Sequence, residues 1–197
     1  MIRYLFSIFS VSLTLVTFAQ QAGTLLDPRD EQSYKTLTKD GITWMAQNLN
    51  YEMPGSFCYD DKIENCDDFG RLYTWEVAIQ ACPEGWHLAS VEEWQQLAKW
   101  GGEGGYIDKI YEKTVSNPLK GFNALTRSDH KFNALLGGNM NDSQIFGSMK
   151  QYGLYWTSDS YDVGKARRVR LNGDAKKLYI GRAYGKGYAY SCRCVKD

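Results

Sequence analysis

Ala81-Cys82-Pro83-Glu84-Gly85-Trp86-His87-Leu88-Ala89-Ser90-Val91-Glu92-Glu93-Trp94 is the stretch on which the fold reading turns. One short run holds the end of a helix, a turn, a candidate strand and the start of a second helix. Thr74 opens the first helix over Trp75–Ala81, with Glu76 in the first turn, where a negative charge suits the helix dipole. Pro83-Glu84-Gly85 ends it. Ser90-Val91-Glu92-Glu93 has capping-box spacing, in which the serine and the glutamate three residues on satisfy each other's backbone N–H groups. Val91, Trp94, Leu97 and Ala98 then recur at helical spacing, which predicts a helix to about Trp100 with one buried stripe. Gly101-Gly102 stops it.

Working outward, Tyr34–Leu37 and Ile42–Met45 flank Lys39-Asp40-Gly41, a turn that supplies positive φ, so this segment is a β-hairpin. Residues 20–32 read as a loose polar arm and residues 48–71 as loop. Beyond Gly101 the helical period fades. Short β-prone runs follow at Tyr155–Thr157, Arg167–Leu171, Leu178–Ile180 and Tyr188–Val195, a meander of antiparallel strands after an irregular region. Strands, then helices, then strands indicate an α+β class. An echo between Gly121–Leu125 and Lys131–Leu135 is too short to signal a repeat architecture.

The chain has 197 residues, 23 basic against 23 acidic side chains, and 14% aromatics. That length suits one domain. The balanced charge leaves no broad basic face, so nucleic acid is excluded as a partner class. Met1-Ile2-Arg3, the uncharged apolar run Tyr4–Phe18 and the small residues Thr17 and Ala19 have the layout of a secretory signal peptide over residues 1–19. The run is short of the roughly 20 residues a membrane span needs. After cleavage no integral membrane segment remains, and export to the periplasm, cell surface or medium would permit disulfides.

Five cysteines then matter: Cys58, Cys66, Cys82, Cys192 and Cys194. Local pairing of Cys58 with Cys66 closes a small polar loop. Cys82 is left to pair with either Cys192 or Cys194. Zinc is disfavoured, because Cys192-x-Cys194 has the wrong spacing and only His87 and His130 could assist.

Several motifs together resemble one family. Thr43-Trp44-Met45-Ala46-Gln47-Asn48-Leu49-Asn50-Tyr51, the Cys58–Cys66 loop, Gly70-Arg71-Leu72-Tyr73-Thr74-Trp75 and Ala81–Leu88 are similar to the Fibrobacter succinogenes major paralogous domain. Phe132–Gly138, Tyr155–Ser158 and Arg193-Cys194-Val195-Lys196-Asp197 continue the likeness to the end of the chain. The resemblance implies an exported bacterial domain over residues 33–197. Its fold would be C-type-lectin-like: two helices packed on a small antiparallel sheet, with a long irregular loop region. It also implies Cys58–Cys66 and Cys82–Cys194 disulfides. Cys192 departs from the family pattern and is expected to be a buried, inert free thiol.

Catalytic patterns are missing. There is no G-x-S-x-G, H-E-x-x-H or P-loop, and His87 reads as a half-buried structural residue. Asp60, Asp61, Glu64, Asp67 and Asp68 read as a solvated acidic loop. No cofactor is expected. Calcium is the one cation the oxygens of Asn139, Asn141 and Asp142 would suit, but the sugar-coordinating triplets of C-type lectins are missing. Trp44, Trp75, Trp86 and Trp156 are expected in the core. Tyrosines crowd the final third, interleaved with Arg167, Arg168, Arg170 and Arg182, a composition typical of recognition surfaces. The expectation is a non-catalytic, exported binding module for a glycan or a surface protein. It would bind through loops between about residues 120 and 162 and the adjoining sheet, with Asn139, Asn141, Asp142, Tyr155, Asp159, Arg170 and Tyr179 at the site. The alternative is a structural or assembly component of the cell envelope.

Overall fold

The structure, a computed structural model, describes residues 21–99, 106–107, 113–115, 118–126 and 132–197. The expected signal peptide over residues 1–19, Trp100, the expected helix stop at Gly101-Gly102 and His130 lie outside the described residues. In chain order the first elements are β1 (Gln21–Leu26), β2 (Ser33–Lys39), β3 (Ile42–Met45), β4 (Ser56–Phe57), a 3-10 turn (Tyr59–Asp61) and α1 (Ile63–Phe69). Next come β5 (Leu72–Thr74), α2 (Trp75–Ala81), β6 (Trp86–Leu88), α3 (Val91–Lys99), β7 (Tyr106–Ile107), β8 (Lys113–Val115) and α4 (Pro118–Thr126). The last third holds β9 (Asn139–Met140), β10 (Phe146–Gly147), β11 (Tyr152–Ser160), β12 (Lys165–Asn172), β13 (Lys177–Gly185), β14 (Ala189–Tyr190) and β15 (Cys194–Lys196).

The strands form three five-stranded antiparallel sheets, ordered β1-β2-β3-β15-β6, β10-β9-β14-β5-β4 and β11-β12-β13-β8-β7. This overturns the expected lectin-like arrangement of two helices on a small sheet: the described residues are mainly β, and the four helices among them are 7–9 residues long. The reason is local. Strands of two or three residues carry no readable period, so much of what looked like irregular loop is sheet held by distant partners.

Several local expectations hold. Asp40 and Gly41 adopt φ of 52° and 82°, the left-handed pair a two-residue hairpin requires, and β2 pairs with β3 as the expected hairpin, from Lys39 opposite Ile42 to Thr36 opposite Met45. The capping box forms: Ser90 Oγ accepts from Glu93 N at 3.2 Å, and Ser90 N donates to Glu93 Oε2 at 2.7 Å. Trp94, Leu97 and Ala98 are buried along α3. Thr74 does sit at the N-cap of α2, but its hydroxyl makes no cap hydrogen bond.

Three segments differ. The supposed loose arm at 20–32 instead supplies β1, which pairs with β2 along its whole length. Its turn is anchored by the buried Asp27, whose carboxylate takes Arg29 Nε at 2.9 Å and Nη2 at 2.7 Å, while Nη2 also reaches Ala81 O. Residues 48–71 contain α1, and residues after Gly101 contain α4. At the start of α1, Lys62 makes no side-chain cap hydrogen bond, so no local signal of the kind that opens α3 announces it.

Two apolar clusters sandwich the first sheet. On one face Leu37, Trp44 and Val195 meet Trp94 and Leu97 of α3, Leu125 of α4, Phe132 and the inner face of the third sheet at Tyr155, Val169, Leu171, Leu178 and Ile180. Trp44, Trp94 and Phe132 pack edge-to-face at 5.2–5.7 Å, a favoured geometry for ring quadrupoles. On the other face Tyr34, Met45, Leu88 and Cys194 meet Trp75 and Ala78 of α2, Trp156, Tyr190 and Cys192. The expected core tryptophans are buried except Trp86, which is half-buried.

The bridges are Cys58–Cys66 and Cys82–Cys194. Cys192 is free and fully buried, and burial pushes its thiol pKa far up.

Arg193, fully buried between those cysteines, bolts the clusters together. Its Nε donates to Asn48 Oδ1 at 2.7 Å, Nη1 to Met45 O and Phe132 O, and Nη2 to Asn133 O at 2.8 Å. The guanidinium lies 4.5 Å from the Phe132 ring centroid. Burial lowers its pKa to about 10, opposed by Tyr155.

Candidate functional site

The third sheet builds the site. Its register places Arg170 opposite Leu154 on β11 and Tyr179 on β13, and Arg168 opposite Trp156 and Arg182. Because side chains alternate along a strand, Val169 and Leu171 point into the first apolar cluster, while Arg168 and Arg170 share the opposite face with Leu154 and Trp156, which belong to the second cluster. There they form a ladder with tyrosines. Arg170 stacks 4.3 Å from the Tyr179 ring and 5.8 Å from Tyr152. Arg168 lies 4.0 Å from Tyr184 and 5.8 Å from Tyr190. Arg182 approaches Tyr184 at 5.3 Å, and Tyr188 stands edge-on to Tyr184.

Exposure grades across this face. Arg182 is exposed; Tyr152, Arg170, Tyr179, Tyr184 and Tyr188 are half-buried; Arg168 retains 4% of its surface. Arg168 Nε is buried without a hydrogen-bond partner. Burial lowers the Arg168 pKa, and Tyr190 and Tyr184 oppose that. The rings screen the guanidinium electrostatically through their negative faces; Tyr190 is buried and Tyr184 half-buried.

The expected site residues divide. Arg170 and Tyr179 come together as ladder neighbours. Tyr155 does not join them: it points to the core, fully buried, with its hydroxyl donating to Leu135 O at 2.7 Å. Asp159 is spent on α3, where Oδ2 accepts from Val91 N at 2.7 Å. Asn141 shapes its own hairpin, its Oδ1 accepting from Ser143 N and Ile145 N. Asn139 lies in β9, and Asp142 is exposed at the turn. Among the described residues no cluster of three or more His, Cys, Asp or Glu is arranged to hold a metal.

Selection from the sequence missed Tyr152, Arg168, Tyr184 and Tyr190 as ladder members, although the crowding of arginine and tyrosine was the signal that could have found them. His87 is held between two carboxylates: Nδ1 lies 2.6 Å from Asp197 Oδ1 and Nε2 lies 2.9 Å from Glu93 Oε1. Ser90 Oγ, the nearest hydroxyl in that network, donates to Glu93 Oε2 rather than to the imidazole.

The sequence model of the Fibrobacter succinogenes major domain matches residues 34–196. The chain belongs to that family. No curated protein and no solved structure matches it. Within the family match lie β2 to β15, both disulfides, Arg193 and the entire Tyr/Arg ladder, so the ladder stands on the family domain itself, whereas β1 precedes it.

Proposed function

We propose that this member of the Fibrobacter succinogenes major domain family is an exported, non-catalytic binding module that recognises a glycan or a surface protein. The single observation that carries this reading is the ladder Tyr152–Arg170–Tyr179 beside Tyr184–Arg168–Tyr190. Stacked arginines and tyrosines offer large, stiff contact area with polar tips, the composition found where binding energy concentrates. Export is supported by two disulfides, which persist in oxidising compartments. Among the described residues no helix is long and apolar enough to cross a membrane. The non-catalytic reading is supported by the side chains closest to a catalytic set: His87, Glu93 and Ser90 are engaged with one another and with Asp197 in tying β6 to α3.

The test is an immobilised-glycan and envelope-protein binding screen with wild type and an Arg170→Ala/Tyr179→Ala variant. The ladder reading expects a binder whose affinity falls at least tenfold in the variant, with unchanged thermal unfolding. A folded protein that binds nothing, or whose binder ignores the variant, overturns it.

A further inference from the structure

The first sheet continues past the core, and its register shows how. One face carries Tyr34, Thr36 and Thr38 on β2, Thr43 and Met45 on β3, Cys194 and Lys196 on β15, and Trp86 and Leu88 on β6. At the Leu88–Cys194 pair this face is fully buried against α2. One pleat further out, at the Trp86–Lys196 pair, it leaves the core and becomes a trough of about 310 Å³. β1 closes the far wall with Gln21 to Leu25. The trough therefore runs across all five strands, and the side chains that its face presents are Gln21 and Leu25 of β1, Thr36, Thr38, Thr43, Trp86 and Lys196.

Three features mark this as more than a gap between strands. Gly23 faces Thr36 across the β1–β2 pair, and a Cβ there would stand 2.8 Å from Thr36 Oγ1, so the wall is built to the thickness of a glycine. Thr38 Oγ1 and Thr43 Oγ1 lie 2.8 Å apart, a cross-strand hydroxyl pair that keeps free lone pairs for another donor. Trp86 is the one family-motif tryptophan of the four that is not buried, and Lys196 beside it is exposed and makes no ion pair with a described residue.

We propose that this trough is a second binding site, separate from the Tyr/Arg ladder, and that it takes an extended glycan bearing an anionic group, a carboxylate or a sulfate ester. Threonine hydroxyls both donate and accept, which matches the hydroxyls of a pyranose chain. An indole face stacks on the apolar C–H face of a sugar ring. Lys196 supplies the charge that selects an acidic residue of the chain. An extended peptide fits less well. The strand backbones that form the floor are already paired with one another, so the floor offers side-chain hydroxyls rather than the N–H and C=O ladder a peptide needs.

The experiment is isothermal titration of the purified protein with three probes: an oligogalacturonate, a sulfated galactan oligosaccharide and a neutral cello-oligosaccharide. Binding of either acidic probe, at least fivefold tighter than the neutral one, is expected, and the better acidic probe identifies the anion. Trp86→Ala should weaken binding at least tenfold and Trp86→Phe should recover most of it. Thr38→Val/Thr43→Val should weaken every probe, whereas Lys196→Gln should weaken only the acidic ones and flatten their salt dependence. No binding by the folded protein overturns the proposal, and so does displacement by an extended peptide but not by oligosaccharide. Binding that is insensitive to the trough variants but lost in Arg170→Ala/Tyr179→Ala also overturns it, while leaving the ladder reading standing.

Discussion

Replacing Arg193 by methionine tests the centre of this structure. The side chain is fully buried, and its three guanidinium nitrogens donate four hydrogen bonds, one to the Asn48 amide oxygen and three to carbonyls of Met45, Phe132 and Asn133. Hydrogen bonds to a charged group contribute roughly 1.5–3 kcal/mol each. Against that stands the cost of burying the charge. That burial lowers the Arg193 pKa to about 10, since the interior disfavours the charged form. Methionine would recover packing on Phe132 and Tyr155, but it would leave four acceptors in the interior without donors. This differs from replacing a buried ion pair by apolar residues, where both partners go together. The expected loss is therefore about 3–5 kcal/mol, a large part of the 5–15 kcal/mol of a typical domain. Arg193→Lys keeps the charge but lacks the planar fork, and should lose about 2 kcal/mol or more. Urea unfolding under non-reducing conditions, followed by tryptophan fluorescence, measures both. An Arg193→Met protein within about 1 kcal/mol of wild type, at unchanged m-value, would refute the reasoning.

Other expectations follow from the same chemistry. The Cys82–Cys194 bridge spans 112 residues and Cys58–Cys66 spans 8, so in the chain-entropy model their removal should cost about 5 and about 2.5 kcal/mol respectively; serine pairs compared by urea unfolding check the order. Cys192 should resist a maleimide in the folded protein and react once on unfolding in denaturant without reductant, and fast labelling of the native state would contradict its burial. Burial alone would lower the His87 pKa, but hydrogen bonds to Asp197 and Glu93 outweigh it and hold the pKa above the usual imidazole value. The stabilisation is then fully present below the unfolded-state pKa of about 6.5 and is lost as pH rises through the raised folded-state value. Its size should stay below about 1 kcal/mol because the imidazole is 43% exposed. Stability against pH for wild type and His87→Gln should differ only on the acid side.

The accuracy of the sequence reading followed how local each signal was. The Asp40-Gly41 hairpin and the Ser90–Glu93 capping box were legible because each is completed within a few residues, by backbone φ or by one side-chain hydrogen bond. The same holds for the buried stripe of α3. β1 was not legible because its order depends on Asp27 and Arg29 reaching Ala81, more than fifty residues away. At the candidate site, Arg170 and Tyr179 were found by composition. Tyr155 and Asp159 were misassigned, because the same residue types serve equally well as a core ring with a satisfied hydroxyl and as a helix cap.

By itself, then, the sequence determined where α2 and α3 begin, the Asp40-Gly41 hairpin, the family and its cysteine pattern. Only the tertiary structure decided which face of each strand meets the core. That decision made Trp86 a trough wall rather than a core residue, put Arg168 and Arg170 on the face opposite Val169, with Arg168 buried under tyrosines and Arg170 half-buried, and buried Arg193 among carbonyls. A strand of two or three residues has no preference of its own. Its partner and its facing are set by chain segments brought from a hundred or more positions away, such as Cys194 beside Leu88 and Arg193 beside Asn48.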